Sequence, residues 1–164
     1  MPPRYLVQGG RPLNGTIRPA GNKNAALPAI AATLLADGPV ELGNMPRIRD
    51  VETMLALLAD LGAEVAWVDG NTVRVDARPA TLKPLDPELC SKIRASILFA
   101  GPLLARFGRV TLPPPGGDVI GRRRVDTHFL ALEQLGASLS LGDSYQIEAK
   151  QLTGTEVFLD EPSV

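Results

Sequence analysis

The sequence contains very little cysteine, histidine and aromatic residue, and each shortage excludes a class of protein. Cys90 is the only cysteine and His128 the only histidine, which rules out an internal disulfide and a His/Cys metal cluster. Aromatic residues make up 4% of the 164 residues, too few for the base-stacking surfaces of single-stranded nucleic-acid binders. The apolar runs are too short for a signal-peptide core or a membrane span. We therefore expect a cytoplasmic protein that has no nucleic-acid or membrane partner and no metal.

The charged side chains are nearly balanced in sign but uneven in type. The formal net charge is -1, and arginine accounts for 13 of the 17 cationic side chains. Guanidinium groups form two-point hydrogen bonds with phosphates and carboxylates, so this excess of arginine indicates a small anionic ligand.

The apolar pattern predicts a unit of strand, helix, strand, helix and two further strands (βαβαββ). Pro28 is expected in the first turn of the first helix, where proline is tolerated. Gly62 is expected to end the second helix, and the turn Asp69-Gly70-Asn71 predicts a hairpin between the last two strands. The predicted elements of this first copy occupy residues 15–19, 25–36, 40–42, 51–61, 64–68 and 72–76.

The same unit occurs a second time along the chain. Residues 94–108 match residues 24–38 with an offset of 70, and residues 125–137 match residues 51–63 with an offset of 74. The four extra residues lie at one strand–helix joint, in the loop 113–124. An insertion at one joint of a repeated scaffold is typical of a functional loop, so we interpret 113–124 as an active-site loop.

These matches predict the organisation of the whole chain. Residues 1–23 form an N-terminal strand and a ligand loop, residues 24–90 the first unit, and residues 91–151 the second unit. The sequence Leu-Thr-Gly-Thr at 152–155 echoes Leu-Asn-Gly-Thr at 13–16, so residues 152–164 are expected to begin a third, truncated unit. We therefore expect the chain to be the N-terminal part of a longer protein.

Two cations lie at equivalent helix starts in the two units. Lys23 lies in the loop Gly21-Asn22-Lys23-Asn24 just before the first helix, and Arg94 lies at the matching helix start in the second unit. A helix start that presents backbone N–H groups and a cation suits a phosphate or a carboxylate. Either residue alone is more simply a solvated surface cation, but the pair favours an anion site.

The inserted loop combines stiff, flexible and charged positions. Three prolines precede Gly116 and Gly117, and the loop then carries Asp118 and the arginines 122–124. Asp118 suits either a general acid or a turn residue, and the arginines nearby would lower its pKa. The three arginines cannot all face one ligand, so we expect at least one of them, Arg122, to be solvated.

Three more polar residues have simple structural interpretations. Asp126 suits a helix cap or a contact to a polar ligand group, and capping is favoured. His128 fits a packed or surface position, and Cys90, which has no partner pattern, fits a structural one.

The motifs of this chain, in their order and spacing, resemble the UDP-N-acetylglucosamine 1-carboxyvinyltransferase family, the enolpyruvyl transferases of peptidoglycan synthesis. The sister family of the shikimate pathway typically has Gly-Ser-Lys-Ser where this chain has Gly-Asn-Lys-Asn. The resemblance implies an α/β enolpyruvyl transferase fold of the inverted barrel type, with two domains of three βαβαββ units each. The matching segments are residues 21–28, 94–96, 115–117, 120–121, 123–126, 128 and 135–137.

The resemblance also implies a reaction: transfer of the enolpyruvyl group from phosphoenolpyruvate to the 3-hydroxyl of UDP-N-acetylglucosamine, with release of phosphate. No metal or organic cofactor is implied. Lys23 and Arg123 match the cations that hold phosphoenolpyruvate, and Asn24 lies beside them. The residues that match nucleotide-sugar contacts are Arg94, Arg123, Arg124, Val125, Asp126, Thr127, Glu161, Pro162, Ser163 and Val164.

The chain departs from the family in three places. Asp118 stands where most members have a cysteine that acts as general acid and reacts with an epoxide antibiotic. We expect Asp118 to keep the acid role and to escape alkylation, because a carboxylate is a poorer nucleophile than a thiolate. Arg124 replaces a usual proline, and Thr127 replaces a usual apolar residue.

The largest difference is length. The resemblance places further catalytic groups in a second domain, which these 164 residues do not include. We therefore expect this chain alone to lack transferase activity. The alternative is a truncated, non-catalytic module that binds a nucleotide sugar or regulates a full-length partner.

Overall fold

A computed structural model of the chain describes residues 4–117 and 124–159, and in these ranges the repeat appears as two units of helices and sheet. The first unit contains α1 (Lys23–Ala32), which ends in a 3₁₀ turn (Thr33–Leu35), β1 (Val40–Leu42), α2 (Arg49–Asp60), β2 (Glu64–Trp67) and β3 (Val73–Asp76). Helix α3 (Pro87–Lys92) connects the two units. The second unit contains a 3₁₀ segment (Arg94–Phe99) leading into α4 (Ala100–Phe107), β4 (Arg109–Leu112), α5 (Asp126–Gln134), β5 (Ser138–Leu141) and β6 (Tyr145–Glu148). The helices and strands predicted within residues 25–76 are confirmed to within two residues at most boundaries.

Each unit forms a three-stranded antiparallel sheet of the same strand order. The first sheet has the order β1-β3-β2 and the second has the order β4-β6-β5. The hairpin predicted at Asp69-Gly70-Asn71 is confirmed, and the Asp69 carboxylate accepts a hydrogen bond from the Asn71 N–H at 2.9 Å. Identical strand order in the two halves confirms the internal repeat.

The C-terminal ends of helices α2 and α5 have the same conformation and the same hydrogen bonds in the two units. Gly62 after α2 and Gly136 after α5 have φ of +99° and +101°, a left-handed conformation that glycine adopts without strain. In both units the glycine N–H and the following alanine N–H bond back to carbonyls of the last helical turn, at 2.9 and 3.0 Å. The Leu-Gly-Ala sequences 61–63 and 135–137 therefore end their helices by one mechanism, as the pattern predicted.

The strand predicted at 15–19 is wrong. Residues 4–20 carry no strand and are exposed, including Leu13 at 100% and Ile17 at 90% of their surface. A lone extended segment becomes a strand only by pairing its N–H and C=O groups with a sheet edge, and in the described ranges this segment pairs with none.

The start of the first helix also differs from the prediction. The helix begins at Lys23 rather than at 25, because the Asn22 side chain accepts hydrogen bonds from the N–H groups of Asn24 and Ala25 at 2.7 and 3.3 Å. Pro28 therefore lies in the second turn of the helix, not in the first. Its missing N–H leaves α1 one intrahelical hydrogen bond short.

The core lies mainly between the helices of the two units. α2 buries six residues along one face, including Met54 and Leu58, and α4 buries Leu103 and Leu104. α5 buries only Phe129, whose ring packs edge-on against Tyr145 with the centroids 4.8 Å apart. The first unit is therefore enclosed on more sides than the second.

Arg106 of the second unit links the two units by hydrogen bonds to backbone carbonyls of the first. Its guanidinium donates to the Leu34 carbonyl at 2.8 Å and to the Arg78 carbonyl at 3.1 Å. Arg78 in turn forms a two-point pair with Asp76, whose carboxylate is 2.5 Å from the guanidinium at its shortest contact. None of the helices in the ranges given above is both long and apolar enough to cross a membrane.

Asp76 is expected to make folding stability sensitive to acid. The hydrogen bonds from Arg78 lower the pKa of Asp76 from 3.8 to about 2. A carboxyl group whose pKa is lower in the folded state stabilises that state above pH 3.8, and this contribution is lost as the pH falls towards 2. We expect Asp76→Asn to reduce the loss of unfolding free energy between about pH 4 and pH 2, measured by urea denaturation. Asp143→Asn, in an exposed hairpin, is the control, and an unchanged slope for Asp76→Asn would contradict the prediction.

Candidate functional site

One cavity of about 390 Å³ lies where several helix starts converge. α1, α2, the 3₁₀ segment before α4 and α5 all contribute residues from their first turns. Helix starts carry partial positive charge and unpaired N–H groups, so this arrangement attracts anions. The lining residues are Lys23, Asn24, Leu27, Pro28, Asp50, Lys92, Ile93, Arg94, Ala95, Ile97, Leu98, Gly117 and His128.

The cavity brings together the two cations that the repeat singled out. Lys23 and Arg94 both line it, and Lys92 adds a third positive charge against the single carboxylate of Asp50. The surplus of positive charge, with apolar side chains around it, suits a small ligand that carries phosphate or carboxylate groups. Among the described residues, no group of three or more His, Cys, Asp or Glu side chains is placed to hold a metal ion.

Asp50 holds the Lys23 side chain in the cavity. The Lys23 ammonium and the Asp50 carboxylate are 2.7 Å apart, with 47% and 33% of the two side chains exposed. At this exposure the ion pair contributes little to stability, on the order of 0–1 kcal/mol, so its main effect is to orient the ammonium. Asp50 was not predicted from the sequence, and the signal that could have found it is an acidic residue in the first turn of α2.

Asn24 lines the cavity, but its backbone N–H group already donates a hydrogen bond within the protein. Its N–H donates to the Asn22 side chain, as does the N–H of Ala25. Two of the backbone donors that the loop was expected to offer a ligand are therefore used to cap α1. The positive charge on the first helix start comes mainly from the Lys23 side chain and the helix dipole.

Gly21 allows the loop before α1 to pack closely against the turn after β1. A Cβ atom at this position would lie 1.7 Å from the Asn44 carbonyl oxygen and 3.0 Å from Pro46 Cδ. Asn44 itself has φ of +53°, a left-handed conformation that asparagine tolerates better than most residues. Only glycine fits at 21 without displacing this turn, and the turn leads directly into α2 with Asp50.

Arg94 makes the corresponding contact in the second unit. Its guanidinium donates a hydrogen bond to the Arg124 carbonyl. With the offset of 74, Arg124 is the counterpart of Asp50, and with the offset of 70, Arg94 is the counterpart of Asn24. In both units, a cation at the first helix start thus contacts the start of the second helix.

Arg124 and Asp126 pair with each other beside a neighbouring cavity of about 350 Å³. The Arg124 guanidinium donates to both carboxylate oxygens of Asp126, at 2.7 to 3.0 Å, and these hydrogen bonds lower the pKa of that carboxyl. The predicted capping role of Asp126 is wrong: the N-cap of α5 is Val125, and the Asp126 carboxylate is held by Arg124 instead. Val125 and Thr127 are half-buried, and Val125 packs against the core.

Several predicted site residues lie outside the described ranges. They are Asp118, Arg122, Arg123, Glu161, Pro162, Ser163 and Val164. Their predicted roles stay predictions, and the described part of the site comprises Lys23, Asn24, Arg94 and the segment Arg124–Thr127.

Cys90 is a buried structural residue, as the sequence predicted. It lies inside α3 with no exposed surface, and burial raises the pKa of its thiol to about 11. The thiol therefore stays protonated and unreactive at neutral pH. Sequence analysis missed α3 itself, although Asp86 followed by Pro87 is the pattern of an N-cap and first helical residue. His128, by contrast, is exposed and lines the cavity that also contains Lys23 and Arg94.

The family model and the two relatives that follow are all named as 1-carboxyvinyltransferases. The family model described as EPSP synthase (3-phosphoshikimate 1-carboxyvinyltransferase) matches residues 7–164. The chain is 59% identical over 163 residues to the UDP-N-acetylglucosamine 1-carboxyvinyltransferase of Bradyrhizobium diazoefficiens, covering 99% of this chain and 38% of that protein. It is 51% identical over 160 residues to the protein of the same name from Treponema denticola, covering 98% and 38%. The chain thus spans 38% of the length of these curated relatives.

Solved structures give the same fold. The enolpyruvyl transferase NikO from Streptomyces tendae matches with a TM-score of 0.73 and 27% identity, over 88% of this chain and 32% of that one. The EPSP synthase from Acinetobacter baumannii matches with a TM-score of 0.66 and 18% identity, over 91% and 35%. The α/β class predicted from the sequence and the resemblance to enolpyruvyl transferases are confirmed.

Proposed function

The chain belongs to the EPSP synthase family, and we propose that it forms the N-terminal part of an enolpyruvyl transferase. The proposed reaction moves the enolpyruvyl group of phosphoenolpyruvate to the 3-hydroxyl of UDP-N-acetylglucosamine and releases phosphate. We place it at the first committed step of peptidoglycan synthesis, in the cytoplasm. The observation that carries the proposal is that Lys23 and Arg94, at equivalent helix starts, line the same cavity.

Two observations support UDP-N-acetylglucosamine as the acceptor. The relatives with 59% and 51% identity are both named for this substrate. The loop before α1 reads Gly21-Asn22-Lys23-Asn24, where the shikimate-pathway enzymes typically have serines. In this chain the first asparagine of that loop caps α1, and the second lines the cavity.

The chemistry needs cations around the phosphate throughout. The sugar hydroxyl adds to the phosphate-bearing carbon of phosphoenolpyruvate while a proton adds to the terminal carbon. Loss of phosphate and of a proton from the resulting methyl group then restores the double bond. We assign Lys23 and Arg123 to the phosphoenolpyruvate, with Asn24 beside them, because fixed cations stabilise charge that moves onto the leaving phosphate.

The nucleotide sugar is assigned to the second unit. Arg94 and the segment Arg124–Thr127 supply its contacts near the start of α5, and the segment Glu161–Val164 supplies further ones. The Arg124–Asp126 pair is exposed, so its groups can exchange one partner for a ligand at little cost.

Asp118 is the proposed general acid, and its carboxylate should resist epoxide inhibitors. We expect the complete protein to keep its activity in fosfomycin and the Asp118→Cys variant to lose it, because a thiolate opens the epoxide far faster. The measurement is phosphate release after preincubation with the epoxide. Cys90, which is buried, serves as an internal control for thiol alkylation, and equal sensitivity of the two proteins would contradict the assignment.

The test of the proposed function compares this chain with the complete gene product that contains it. We expect the complete protein to release phosphate from phosphoenolpyruvate only when UDP-N-acetylglucosamine is present. We expect the 164-residue chain to release none, because it spans 38% of its relatives. Binding of UDP-N-acetylglucosamine by a complete protein that never turns over would favour the alternative, a non-catalytic nucleotide-sugar module, and calorimetry distinguishes the two.

A further inference from the structure

We propose that Gly116 is a positioning residue, which seats the base of the inserted loop on the end of helix α3 and so fixes it beside Arg94. The proposal rests on the proposed function, since it concerns the loop that carries the assigned acid. The contacts that support it all lie among described residues.

The loop base closes the C-terminus of α3 with hydrogen bonds. The N–H of Gly116 donates to the Cys90 carbonyl at 2.9 Å, and the N–H of Gly117 donates to the Ser91 carbonyl at 3.2 Å. Carbonyls in the last turn of a helix have no partner within the helix, so they need donors from elsewhere. Two successive N–H groups of the loop supply them here, which ties the loop to the helix by its backbone.

The approach is too close for any residue other than glycine at 116. An added Cβ would lie 1.8 Å from the Ser91 carbonyl oxygen and 2.4 Å from the Ser91 carbonyl carbon. All the atoms it would meet are backbone, so no side-chain rotation can relieve the clash. At Gly117 the φ of +94° and a distance of 2.9 Å from the added Cβ to the Arg94 nitrogen disfavour a side chain as well.

The first unit contains an equivalent contact, but there the glycine belongs to the segment before the helix and not to the loop after the strand. Ser91 is the counterpart of Gly21 with the offset of 70, and Gly116 lies in the loop that corresponds to the turn at Asn44. A Cβ at Gly21 would lie 1.7 Å from the Asn44 oxygen, and one at Gly116 would lie 1.8 Å from the Ser91 oxygen. Each unit therefore joins the segment before its first helix to the loop after its first strand by one glycine against one carbonyl.

Arg94 meets both described ends of the inserted loop. Gly117 packs against its backbone nitrogen, and the Arg94 guanidinium donates to the Arg124 carbonyl. The loop base, the loop end and a cation of the candidate site are therefore held in one cluster. Moving the base away from Ser91 therefore moves Gly117 away from Arg94.

The test is Gly116→Ala in the complete gene product. We expect kcat to fall about 100-fold, the cost of a displacement of about 1 Å in a catalytic group, while the Kd for UDP-N-acetylglucosamine changes by less than about threefold. Gly142→Ala, where an added Cβ meets nothing within 4 Å, is the matched control and should leave both unchanged. A normal kcat for Gly116→Ala would overturn the proposal.

A second measurement needs neither activity nor a variant. Amide hydrogen exchange on the unmodified chain should protect the N–H groups of Gly116 and Gly117 as well as those inside α3, because all are hydrogen-bonded. Exchange at the rate of an unbonded loop would overturn the proposal. If the complete protein proves inactive but these amides are protected, the proposed function is contradicted. The proposal that Gly116 holds the loop base on α3 is then still supported.

Discussion

Gly21→Ala is expected to lower the free energy of unfolding by about 3 kcal/mol and to remove anion binding at Lys23. The added Cβ would lie 1.7 Å from the Asn44 carbonyl oxygen, a backbone atom that cannot move aside by rotating a bond of a side chain. Relief requires that the loop before α1 and the turn after β1 separate. That separation moves the start of α1 relative to α2, and it breaks the 2.7 Å contact between Lys23 and Asp50.

Gly43→Ala is the matched control for this prediction. Gly43 lies in the same turn, and an added Cβ there meets nothing within 4 Å. Urea denaturation should give an unfolding free energy within about 0.5 kcal/mol of the unmodified chain for Gly43→Ala. Equal stabilities for Gly21→Ala and Gly43→Ala would show that the two segments are not in the contact described.

Lys23→Ala is expected to reduce kcat/KM for phosphoenolpyruvate by about 100-fold to 1,000-fold in the complete protein. The substitution removes a cation from the cavity and also leaves the Asp50 carboxylate there without its 2.7 Å partner. An unpaired carboxylate repels the phosphate of the substrate, so the loss has two components. Both act on the transition state as well as on binding.

The double variant Lys23→Ala/Asp50→Ala separates these two components. It should recover part of the activity lost in Lys23→Ala, because the repulsive carboxylate is gone, and the recovered part measures the coupling of the pair. Arg109→Ala, an exposed cation on β4, is the control for a general loss of positive charge. A double variant that is worse than Lys23→Ala would show that Asp50 contributes directly to the reaction instead of orienting Lys23.

Local signals were enough to predict most of the fold. The helix ends at Gly62 and Gly136 and the hairpin at residues 69–71 depend on conformations that only a few residue types adopt, so their sequences are diagnostic. The failure at residues 15–19 concerns an interaction that no local pattern contains. That segment has the composition of a strand but pairs with no strand in the described part of the chain. The failure at Asp126 is local, because its carboxylate is held by Arg124, two residues before it, and does not cap α5.

The candidate site could be predicted only for residues that lie at matching places in both units of the repeat. Lys23 and Arg94 each resemble ordinary surface cations, but they lie at equivalent helix starts in the two units, and both line one cavity. Asp50 and Lys92 had no such marker, because their relation to the site depends on helices that are distant in sequence. Gly21 was recognised as part of a motif, but its contact with Asn44 is visible only in three dimensions.

The glycines Gly21 and Gly116 lie on opposite sides of equivalent contacts in the two units. In the first unit the glycine belongs to the segment before the helix, and in the second unit it belongs to the loop after the strand. Asn44 and Ser91, the residues opposite the glycines, meet them through backbone carbonyl groups. The contact therefore depends on the closeness of two backbones and not on which of the two segments carries the glycine.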